Sequence, residues 1–269
     1  MGKFDGILIL TDMDGTLLNS AGQVSPENLA AIRYFMDRGG RFTVATGRSK
    51  AGMEHFLPAL PINAPAVIYN GSAVYDFGRD APVWTCPVGE DGARLAAAVL
   101  ARFPDVGVEI YDLHHPYVAQ ANAITRRHFR YVRMTWDERD PAEIPQPWLN
   151  LLLTREEEKM PALRAFVEKE FPGVFFLQYS SPYYLEVENR LANKGAGALR
   201  LRDWLGTAPE RFYTVGDGTN DVELLSCTEK RCAPQNACAA LRGLHPYLLP
   251  DCDHHAIAAL VAAIEKGEC

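Results

Sequence analysis

Two aspartates near the N-terminus, Asp12 and Asp14, follow a short run of apolar residues, Ile7–Leu10. The run has the composition of a strand that is buried on both faces. If the strand geometry continues, residues two apart point to the same side, and both carboxylates face one site. Gly15 permits a sharp exit from the strand at that point. Paired carboxylates could transfer protons, attack an electrophile or bind a cation, although Asp and Gly are also typical of a plain turn.

Three further groups of polar residues lie where predicted strands end or helices begin. They are Thr46-Gly47-Arg48, Lys194-Gly195 and Gly216–Asp221, the last with the sequence GDGTND. Taken singly, Thr46 could be a helix cap, Lys194 a solvated surface charge and the aspartates of the third group turn residues. An accidental occurrence of all of them at strand ends is much less probable. We therefore expect them to meet Asp12 and Asp14 at the carboxyl-terminal edge of one parallel sheet.

Four aspartates that converge in this way require a cation. They are Asp12, Asp14, Asp217 and Asp221. Their carboxylates would repel one another by on the order of several kcal/mol at a protein-like dielectric. The candidate ligands are oxygen atoms with no His or Cys nearby, which favours a hard ion. Because Mg²⁺ is the usual companion of phosphoryl transfer, we expect an Mg²⁺ site.

The elements that must position these residues form a strand–helix–strand pattern. Ile7–Thr11 and Phe42–Ala45 are predicted strands, and Ser25-Pro26 supplies an N-cap and a first-turn proline for a helix between them. Such a unit has parallel strands and a right-handed crossover. Ala66–Tyr69 is a third predicted strand. The pattern returns late in the chain, where we expect a helix at Lys194–Leu205 and a strand at Phe212–Val215.

The middle of the chain has a different pattern. A helix is predicted at Glu90–Arg102, followed by strands at Val106–Tyr111 and Trp148–Leu153. Thr154-Arg155-Glu156-Glu157 has the spacing of a capping box, which predicts a helix from there through Lys169. A separate module of strands and helices therefore interrupts the parallel sheet.

The composition is typical of a soluble globular protein, with 48% hydrophobic and 23% charged residues. The 27 basic and 34 acidic residues give a net charge of −7, which disfavours general binding to nucleic acid. The apolar run near the N-terminus is too short for a signal peptide or a membrane span. The six cysteines form no C-x-x-C pair and indicate reduced thiols. We expect a cytoplasmic protein that binds no membrane.

Together these motifs make the chain similar to the haloacid dehalogenase-like (HAD) superfamily, and within it to the Cof-type phosphatases with a large inserted cap. The segments that carry the resemblance are Asp12-x-Asp14-Gly15-Thr16-Leu17, Thr46-Gly47-Arg48, Asn70-Gly71-Ser72, Tyr184-Leu185-Glu186-Val187 followed by Asn193-Lys194-Gly195, and Gly216–Asp221. Their order and spacing span nearly the whole chain. Two segments depart from the family pattern. Pro234-Gln235 replaces a small apolar pair before Asn236-Ala237, and His254-His255-Ala256 replaces an acidic-Gly-Val turn.

The resemblance implies an α/β fold, in which a doubly wound, Rossmann-like parallel sheet forms the core and an α+β cap domain is inserted. The core would comprise residues 1–84 and 186–269, and the C2-type cap would comprise residues 85–185. The cap would close over the site and exclude water, with hinge candidates at Arg79–Pro82 and Glu188–Ala192.

The resemblance also implies a role for each motif residue. Asp12 would be the nucleophile that forms an aspartyl-phosphate, Asp14 the general acid and base, and Lys194 the cation that neutralises the nucleophile and the phosphate. The implied Mg²⁺ ligands are Asp12, Asp14 through its backbone carbonyl, Asp217 and Asp221. The implied substrate-binding residues are Thr46, Gly47, Asn70 and Asn220. An acid at position 14 argues for a phosphatase or a phosphomutase, because relatives that pump ions have Thr there and dehalogenases lack a carboxylate.

Several polar residues of the predicted cap could contact a second anionic group or sugar hydroxyls, although a solvated surface is the commoner role for each one. They are Tyr111, His114, His115, Arg126, Arg127, His128, Arg130 and Arg133.

The sequence leaves the exact activity open between related functions. We expect an Mg²⁺-dependent phosphatase that acts on a small phosphorylated metabolite, such as a sugar phosphate, a nucleotide or a cofactor phosphate. A phosphomutase of the same superfamily is the first alternative, and a non-catalytic sensor of a phosphorylated ligand is the second. The protein is expected to be a monomer or a homodimer.

Overall fold

The computed structural model describes residues 2–132 and 134–269, which form two compact units. The first unit contains the chain up to Gly47, Glu54–Trp84 and Asn193–Cys269. The second unit contains Arg48–Met53 and Thr85–Ala192. Arg133, one of the candidate cap residues, lies outside the described residues.

The first stretch of the chain builds part of the first unit. Its elements are β1 (Leu8–Thr11), α1 (Pro26–Met36), β2 (Arg41–Val44), β3 (Ala66–Ile68), β4 (Ala73–Asp76) and β5 (Ala81–Thr85). The short helix α2 (Lys50–Glu54) lies between β2 and β3 in the chain, and its residues up to Met53 belong to the second unit. Helix α1 begins as the sequence predicts, because Ser25 Oγ accepts a hydrogen bond from the Asn28 backbone N–H at 3.2 Å and Pro26 occupies the first turn.

The middle stretch builds the second unit. Its elements are α3 (Glu90–Arg102), β6 (Gly107–Tyr111), β7 (Pro116–Gln120), α4 (Ala123–Val132), β8 (Asp137–Glu138), β9 (Asn150–Thr154), α5 (Met160–Glu170), β10 (Phe175–Ser181) and β11 (Tyr184–Asn189).

The predicted capping box at Thr154 is wrong. Thr154 is the last residue of β9, where it pairs with Gly107 and Tyr184, and helix α5 begins only at Met160. The Thr154 hydroxyl donates to Asn122 Oδ1 at 3.1 Å. Because Thr154 is paired in the strand ladder and hydrogen-bonded to Asn122, it does not cap a helix as the local spacing predicted.

The last stretch returns to the first unit. Its elements are α6 (Lys194–Leu205), β12 (Phe212–Val215), α7 (Val222–Ser226), β13 (Lys230–Pro234), α8 (Ala239–Arg242), β14 (Tyr247–Leu249) and α9 (Ala256–Lys266).

The sheet of the first unit is parallel and has the order β14-β13-β12-β1-β2. On one face, Leu8 and Leu10 of β1 pack in a cluster with residues of α6, α7 and α8. Ile9 is also fully buried, and it points to the opposite face because strand side chains alternate. Helices α1 and α9 contact each other. Helix α1 also contacts strand β2, and helix α9 contacts strand β14. Burial on both faces explains why β1 is a continuous apolar run.

A small antiparallel sheet, β3-β4-β5, adjoins β2 through a parallel bridge between Ala45 and Val67. The sequence predicted β3 but not the hairpin that follows. The hinge candidate Arg79–Pro82 lies at the turn of this hairpin, where Asp76 Oδ1 accepts hydrogen bonds from the backbone of Gly78 and Arg79 at 3.0 and 3.1 Å. Arg79–Pro82 belong to the first unit.

The sheet of the second unit has the order β10-β11-β9-β6-β7-β8, with antiparallel neighbours except for β7 and β8. One face is apolar and packs against α3 and α5, which contribute Leu95, Val99 and Leu163 to the core. The opposite face carries polar residues, including Glu109 of β6 and Glu186 of β11. This alternation of apolar and polar residues along each strand is typical of an antiparallel sheet that packs one face against the hydrophobic core.

The predicted fold class, an α/β core with an inserted α+β module, is confirmed. The unit limits differ from the predicted limits in two places. The second unit extends to Ala192 rather than residue 185, because β11 continues its pairing with β10 as far as Asn189, and it also includes Arg48–Met53. Among the residues that the structure describes, no helix has both the length and the apolar character of a membrane span.

Candidate active site

The register of the parallel sheet brings two acidic loops side by side. Thr11 at the end of β1 pairs with Val215 at the end of β12. The ladder continues for one more hydrogen bond, from the Asp12 backbone N–H to the Val215 carbonyl at 2.8 Å. Asp12 therefore lies next to the loop that begins at Gly216, as the sequence predicts for strand-end residues of a parallel sheet.

Lys194 connects these loops through its ammonium group. Its Nζ lies 2.5 Å from Asp12 Oδ1 and 2.7 Å from Asp221 Oδ1, and its side chain is only 1% exposed. Lys194 is the first residue of α6, and Asn193 caps this helix by accepting a hydrogen bond from the Ala196 backbone N–H at 2.8 Å. The cap fixes the point from which the lysine side chain enters the site.

Asp217 and Asp221 are held by the loops that carry them. Thr16 Oγ1 donates to Asp217 Oδ1 at 2.7 Å. Asp221 Oδ2 accepts hydrogen bonds from the backbone N–H groups of Asp217 and Gly218 at 3.1 and 2.9 Å. Both oxygens of Asp221 are therefore engaged, which suits a residue that orders the loop and the lysine.

The electrostatics of the cluster are unfavourable without further positive charge. Burial and the charge of Asp221 raise the pKa of Asp12 well above its ordinary value, although Lys194 opposes this effect. Burial also raises the pKa of Asp217, and the hydrogen bond from Thr16 only partly compensates. The pKa of Lys194 is raised as well, because the two carboxylates beside it together outweigh the effect of its burial. Lys194 therefore stays positively charged, but one ammonium group cannot neutralise the three carboxylates of the cluster.

The same residues fit a divalent cation. Within the described residues, Asp12, Asp217 and Asp221 form a group in which each residue offers one carboxylate oxygen, and these three oxygens lie within 4.8 Å of one another. Three carboxylates and one ammonium group carry a net charge of about −2, which a divalent cation would neutralise. The ligands are hard oxygen donors, as Mg²⁺ prefers. The expectation of an Mg²⁺ site thus agrees with the chemistry of the donor set.

The Asp14 carboxylate stands apart from this group. Strand β1 ends at Thr11, and the chain turns through Met13, whose carbonyl accepts hydrogen bonds from the backbone N–H groups of Thr16 and Leu18. Asp14 is exposed, yet its charge is near enough to contribute to the raised pKa of Asp217. The strand geometry assumed from the sequence therefore does not continue to residue 14. Its roles as acid and as a backbone ligand stay predictions.

The predicted phosphate-binding residues lie at the neighbouring strand end. The Asn70 backbone N–H donates to the Thr46 carbonyl at 3.0 Å. Asn220 Nδ2 donates to Asn70 Oδ1 at 3.4 Å. A Cβ atom added to Gly47 would lie 2.9 Å from Asn70 Oδ1, so the Gly47 backbone also adjoins this amide. The structure brings the four residues together, and their contact with a substrate stays a prediction.

Gly71 explains why the Asn70-Gly71-Ser72 segment belongs with Lys194. Gly71 has a φ of +101°, and an added Cβ would clash with the backbone carbonyl of Asn193. The turn after β3 therefore packs directly on the N-terminus of α6, which only a glycine permits.

The candidate residues of the second unit divide into exposed residues and residues that are buried or partly buried. His114, His115, Arg126, Arg127 and Arg130 are exposed. The other two meet at Glu109: the Tyr111 hydroxyl donates to Glu109 Oε2 at 2.6 Å, and His128 Nδ1 lies 2.9 Å from the same oxygen. Sequence reasoning missed Glu109, although an acidic residue within the apolar strand β6 is a signal that could have identified it.

Sequence reasoning also missed Asn236. The segment around it was noted only as a departure from the family pattern. Its side-chain amide donates a hydrogen bond to the Gly15 carbonyl at 2.8 Å. The two residues lie 221 positions apart, so no local pattern indicates the contact.

Comparisons with known proteins agree with this fold. Residues 9–261 match a protein-family model described as haloacid dehalogenase-like hydrolase. Phosphatase YwpJ of Bacillus subtilis (strain 168) is 26% identical over an alignment of 283 positions, which covers 94% of this chain and 98% of that protein. The chain therefore belongs to the haloacid dehalogenase-like hydrolases, and the predictions of this superfamily and of an enzyme are confirmed.

Solved structures show the same fold. A haloacid dehalogenase-like hydrolase from Bacteroides thetaiotaomicron has a TM-score of 0.85 at 20% identity, with coverage of 96% of this chain and 99% of that one. A sugar phosphatase of HAD subclass IIB, BT4131, has a TM-score of 0.82 at 17% identity, with coverage of 98% and 100%. This second similarity agrees with the resemblance to the Cof-type proteins.

Proposed function

We propose that this hydrolase is an Mg²⁺-dependent phosphatase that removes the phosphoryl group from a small phosphorylated metabolite. The observation that carries the proposal is the contact of Lys194 with Asp12 and Asp221, beside Asp217. A buried ammonium group next to a carboxylate suits a nucleophile that must approach an anionic phosphoryl group.

The proposed reaction has two displacements. An Asp12 oxygen attacks phosphorus, and the bond between phosphorus and the leaving oxygen breaks while Asp14 protonates that oxygen. Water then attacks the phosphorus of the aspartyl-phosphate, Asp14 accepts a proton from the water, and the bond to Asp12 breaks to release inorganic phosphate. Lys194 neutralises charge on Asp12 and on the phosphoryl oxygens throughout.

The proposal assigns the remaining site residues to binding. Thr46, Gly47, Asn70 and Asn220 would hold the phosphoryl oxygens through hydrogen bonds. Asp12, the Asp14 carbonyl, Asp217 and Asp221, directly or through water, would hold Mg²⁺, which when bound supplies positive charge that stabilises the transferred group.

We further propose that the second unit is the cap that selects the leaving group. Its polar sheet face and its basic helix α4 offer hydrogen-bond donors and acceptors. A sugar phosphate, a nucleotide or a cofactor phosphate would each be compatible with such groups, and BT4131, similar in fold, is a sugar phosphatase.

The experiment that tests the proposed function compares wild type with Asp12→Asn on an aryl phosphate and on a panel of phosphorylated metabolites. We expect phosphate release that a chelator abolishes and Mg²⁺ restores, and a loss of at least about a thousandfold in Asp12→Asn. Asp203→Asn, on the exposed surface of α6, should match wild type. Asp12→Asn activity within tenfold of wild type would refute the nucleophile.

The products distinguish the alternatives. A phosphomutase would yield an isomerised sugar phosphate with little free phosphate, whereas a phosphatase releases phosphate in proportion to the alcohol. A non-catalytic sensor would bind phosphorylated ligands but release no phosphate from any of them.

A further inference from the structure

The loop between β13 and α8 hydrogen-bonds to both acidic loops of the candidate site. Asn236 Nδ2 donates to the Gly15 carbonyl at 2.8 Å, directly after Asp14 in the chain. Two residues later, the Cys238 backbone N–H donates to the Asp217 carbonyl at 2.8 Å. One short segment therefore contacts the main chain on both sides of the site.

These two acidic loops are also packed closely against each other. Gly15 has a φ of +82°, and an added Cβ would lie 2.5 Å from Asp217 Oδ2. Thr16, the next residue, donates its hydroxyl to Asp217 Oδ1 at 2.7 Å. A shift of the Gly15 peptide would therefore move Asp14, Thr16 and the Asp217 carboxylate relative to one another.

The Asn236 amide is itself fixed from the other side. Its Oδ1 accepts a hydrogen bond from the Cys252 backbone N–H at 3.0 Å. Arg242 closes the segment by donating to the carbonyls of Ala237 and Gln235 at 2.9 and 3.2 Å. Asn236 uses its donor for the acidic loop and its acceptor for the C-terminal segment, so the two contacts can be separated by mutation.

We propose that Asn236 is a positioning residue, which fixes the Gly15 carbonyl and thereby sets the affinity of the aspartate site for a divalent cation. The inference rests on the proposed function, because that function supplies the cation. Asn236 itself is exposed and contacts the main chain rather than any carboxylate. Outer residues that orient metal ligands commonly change metal affinity by about 10- to 100-fold when they are mutated.

Asn236→Asp is the informative variant. It keeps an acceptor for Cys252 but places a carboxylate oxygen against the Gly15 carbonyl, which cannot be a hydrogen bond. The added negative charge alone would strengthen the binding of a cation. The proposal predicts the opposite, a loss of about tenfold in Mg²⁺ affinity.

The measurement is calorimetric titration of the full chain with Mg²⁺, without substrate, together with the Mg²⁺ concentration that half-activates aryl phosphate hydrolysis. The dissociation constant for Mg²⁺ and the half-activating Mg²⁺ concentration should rise by the same factor in Asn236→Asp. KM for the aryl phosphate at saturating Mg²⁺ should change less than about twofold. Gln235→Glu is the matched control, since it adds the same charge one residue away and leaves the Asn236 contact intact. Its Mg²⁺ affinity should equal or exceed that of wild type.

Several outcomes would overturn the inference. Wild-type or tighter Mg²⁺ binding by Asn236→Asp, with an unchanged thermal midpoint, excludes a positioning role. If Asn236→Asp does not fold, Asn236→Ala replaces it with the same expectation, and unfolding of both variants shows that the residue is only structural. Failure of the wild type to bind Mg²⁺ would instead refute the proposed function, so the two failures are distinguishable.

Discussion

At the scale of single residues, Lys194 is the most constrained group of the site. Removing an ammonium group from water is costly, and it is tolerated only when opposite charges surround it. Asp12 and Asp221 provide these charges at 2.5 and 2.7 Å. The lysine in turn offsets part of the repulsion among the buried carboxylates, so its contribution to stability is linked to its proposed contribution to catalysis.

Replacement of Lys194 by Met should therefore destabilise the folded protein in the absence of Mg²⁺. We expect a loss of about 3–5 kcal/mol in the free energy of unfolding, because uncompensated carboxylates remain buried. The pKa of Lys194 is raised above its ordinary value of 10.5, so its stabilising effect is complete below that pH and is lost only as the pH rises through the folded-state pKa. The loss should accordingly persist throughout pH 6–9.

Urea denaturation in a chelating buffer measures this effect. Lys169→Met, whose side chain is 82% exposed, is the control and should change stability by less than about 0.5 kcal/mol. A Lys194→Met protein as stable as wild type would contradict a buried ionic cluster.

At the scale of secondary-structure elements, a buried ion pair joins helix α4 to strand β6 in the second unit. His128 lies 2.9 Å from the fully buried Glu109, which also accepts a hydrogen bond from Tyr111. Burial alone would lower the pKa of His128, but the hydrogen bond and the charge of Glu109, with the charge of Glu186, together raise it. The pair therefore fixes α4 on the polar face of the sheet while the imidazole is protonated.

The stability of wild type relative to His128→Gln should depend on pH. A raised histidine pKa contributes stability that is complete below its ordinary value of 6.5 and is lost as the pH rises through the folded-state pKa. We expect wild type to exceed His128→Gln by about 1.5–3 kcal/mol at pH 5.5, as is typical of a hydrogen bond to a charged group. The difference should shrink steadily towards pH 9.

Urea denaturation of both proteins across this pH range tests the pair. His114→Gln, at an exposed position, should show no such trend relative to wild type. A difference that is constant with pH would show that His128 contributes only through packing.

At the scale of the whole molecule, the net charge of −7 and the excess of carboxylates at one sheet edge favour the binding of cations over anions. A ligand that binds only the folded state stabilises it by mass action. If the cluster of Asp12, Asp217 and Asp221 holds Mg²⁺ as proposed, the ion should stabilise the first unit, which contains all three residues.

Addition of Mg²⁺ to about one hundred times its dissociation constant should raise the thermal midpoint by about 5–10 °C. Differential scanning calorimetry at pH 7.5 measures the shift, with NaCl at matched ionic strength as the control. Asp217→Asn should lose most of the Mg²⁺ effect because it removes one carboxylate of the group. An equal shift in Asp217→Asn and wild type would show that the ion stabilises another part of the molecule.

Some of the fold could be predicted from local patterns alone. Helices α3 and α6 and strand β12 have the predicted bounds, because amphipathic spacing and caps act within a few residues. The helix predicted after Thr154 is present as α5, but it begins only at Met160, because the strand pairing of β9 extends to Thr154. Strands β7 and β8 and the β4–β5 hairpin were not predicted, since their pairing depends on partners that a short window does not contain.

The sequence by itself determined that the acidic motifs follow parallel strands, because strand, turn and helix signals are short-range and because strand ends of a parallel sheet share one edge. Only the tertiary structure decided which groups touch. In the site, Lys194 contacts Asp12, which lies 182 positions away in the sequence, and Asn236 contacts Gly15, which lies 221 positions away. Contacts at such separations depend on how the helices pack on the sheet, and residue spacing does not predict that packing.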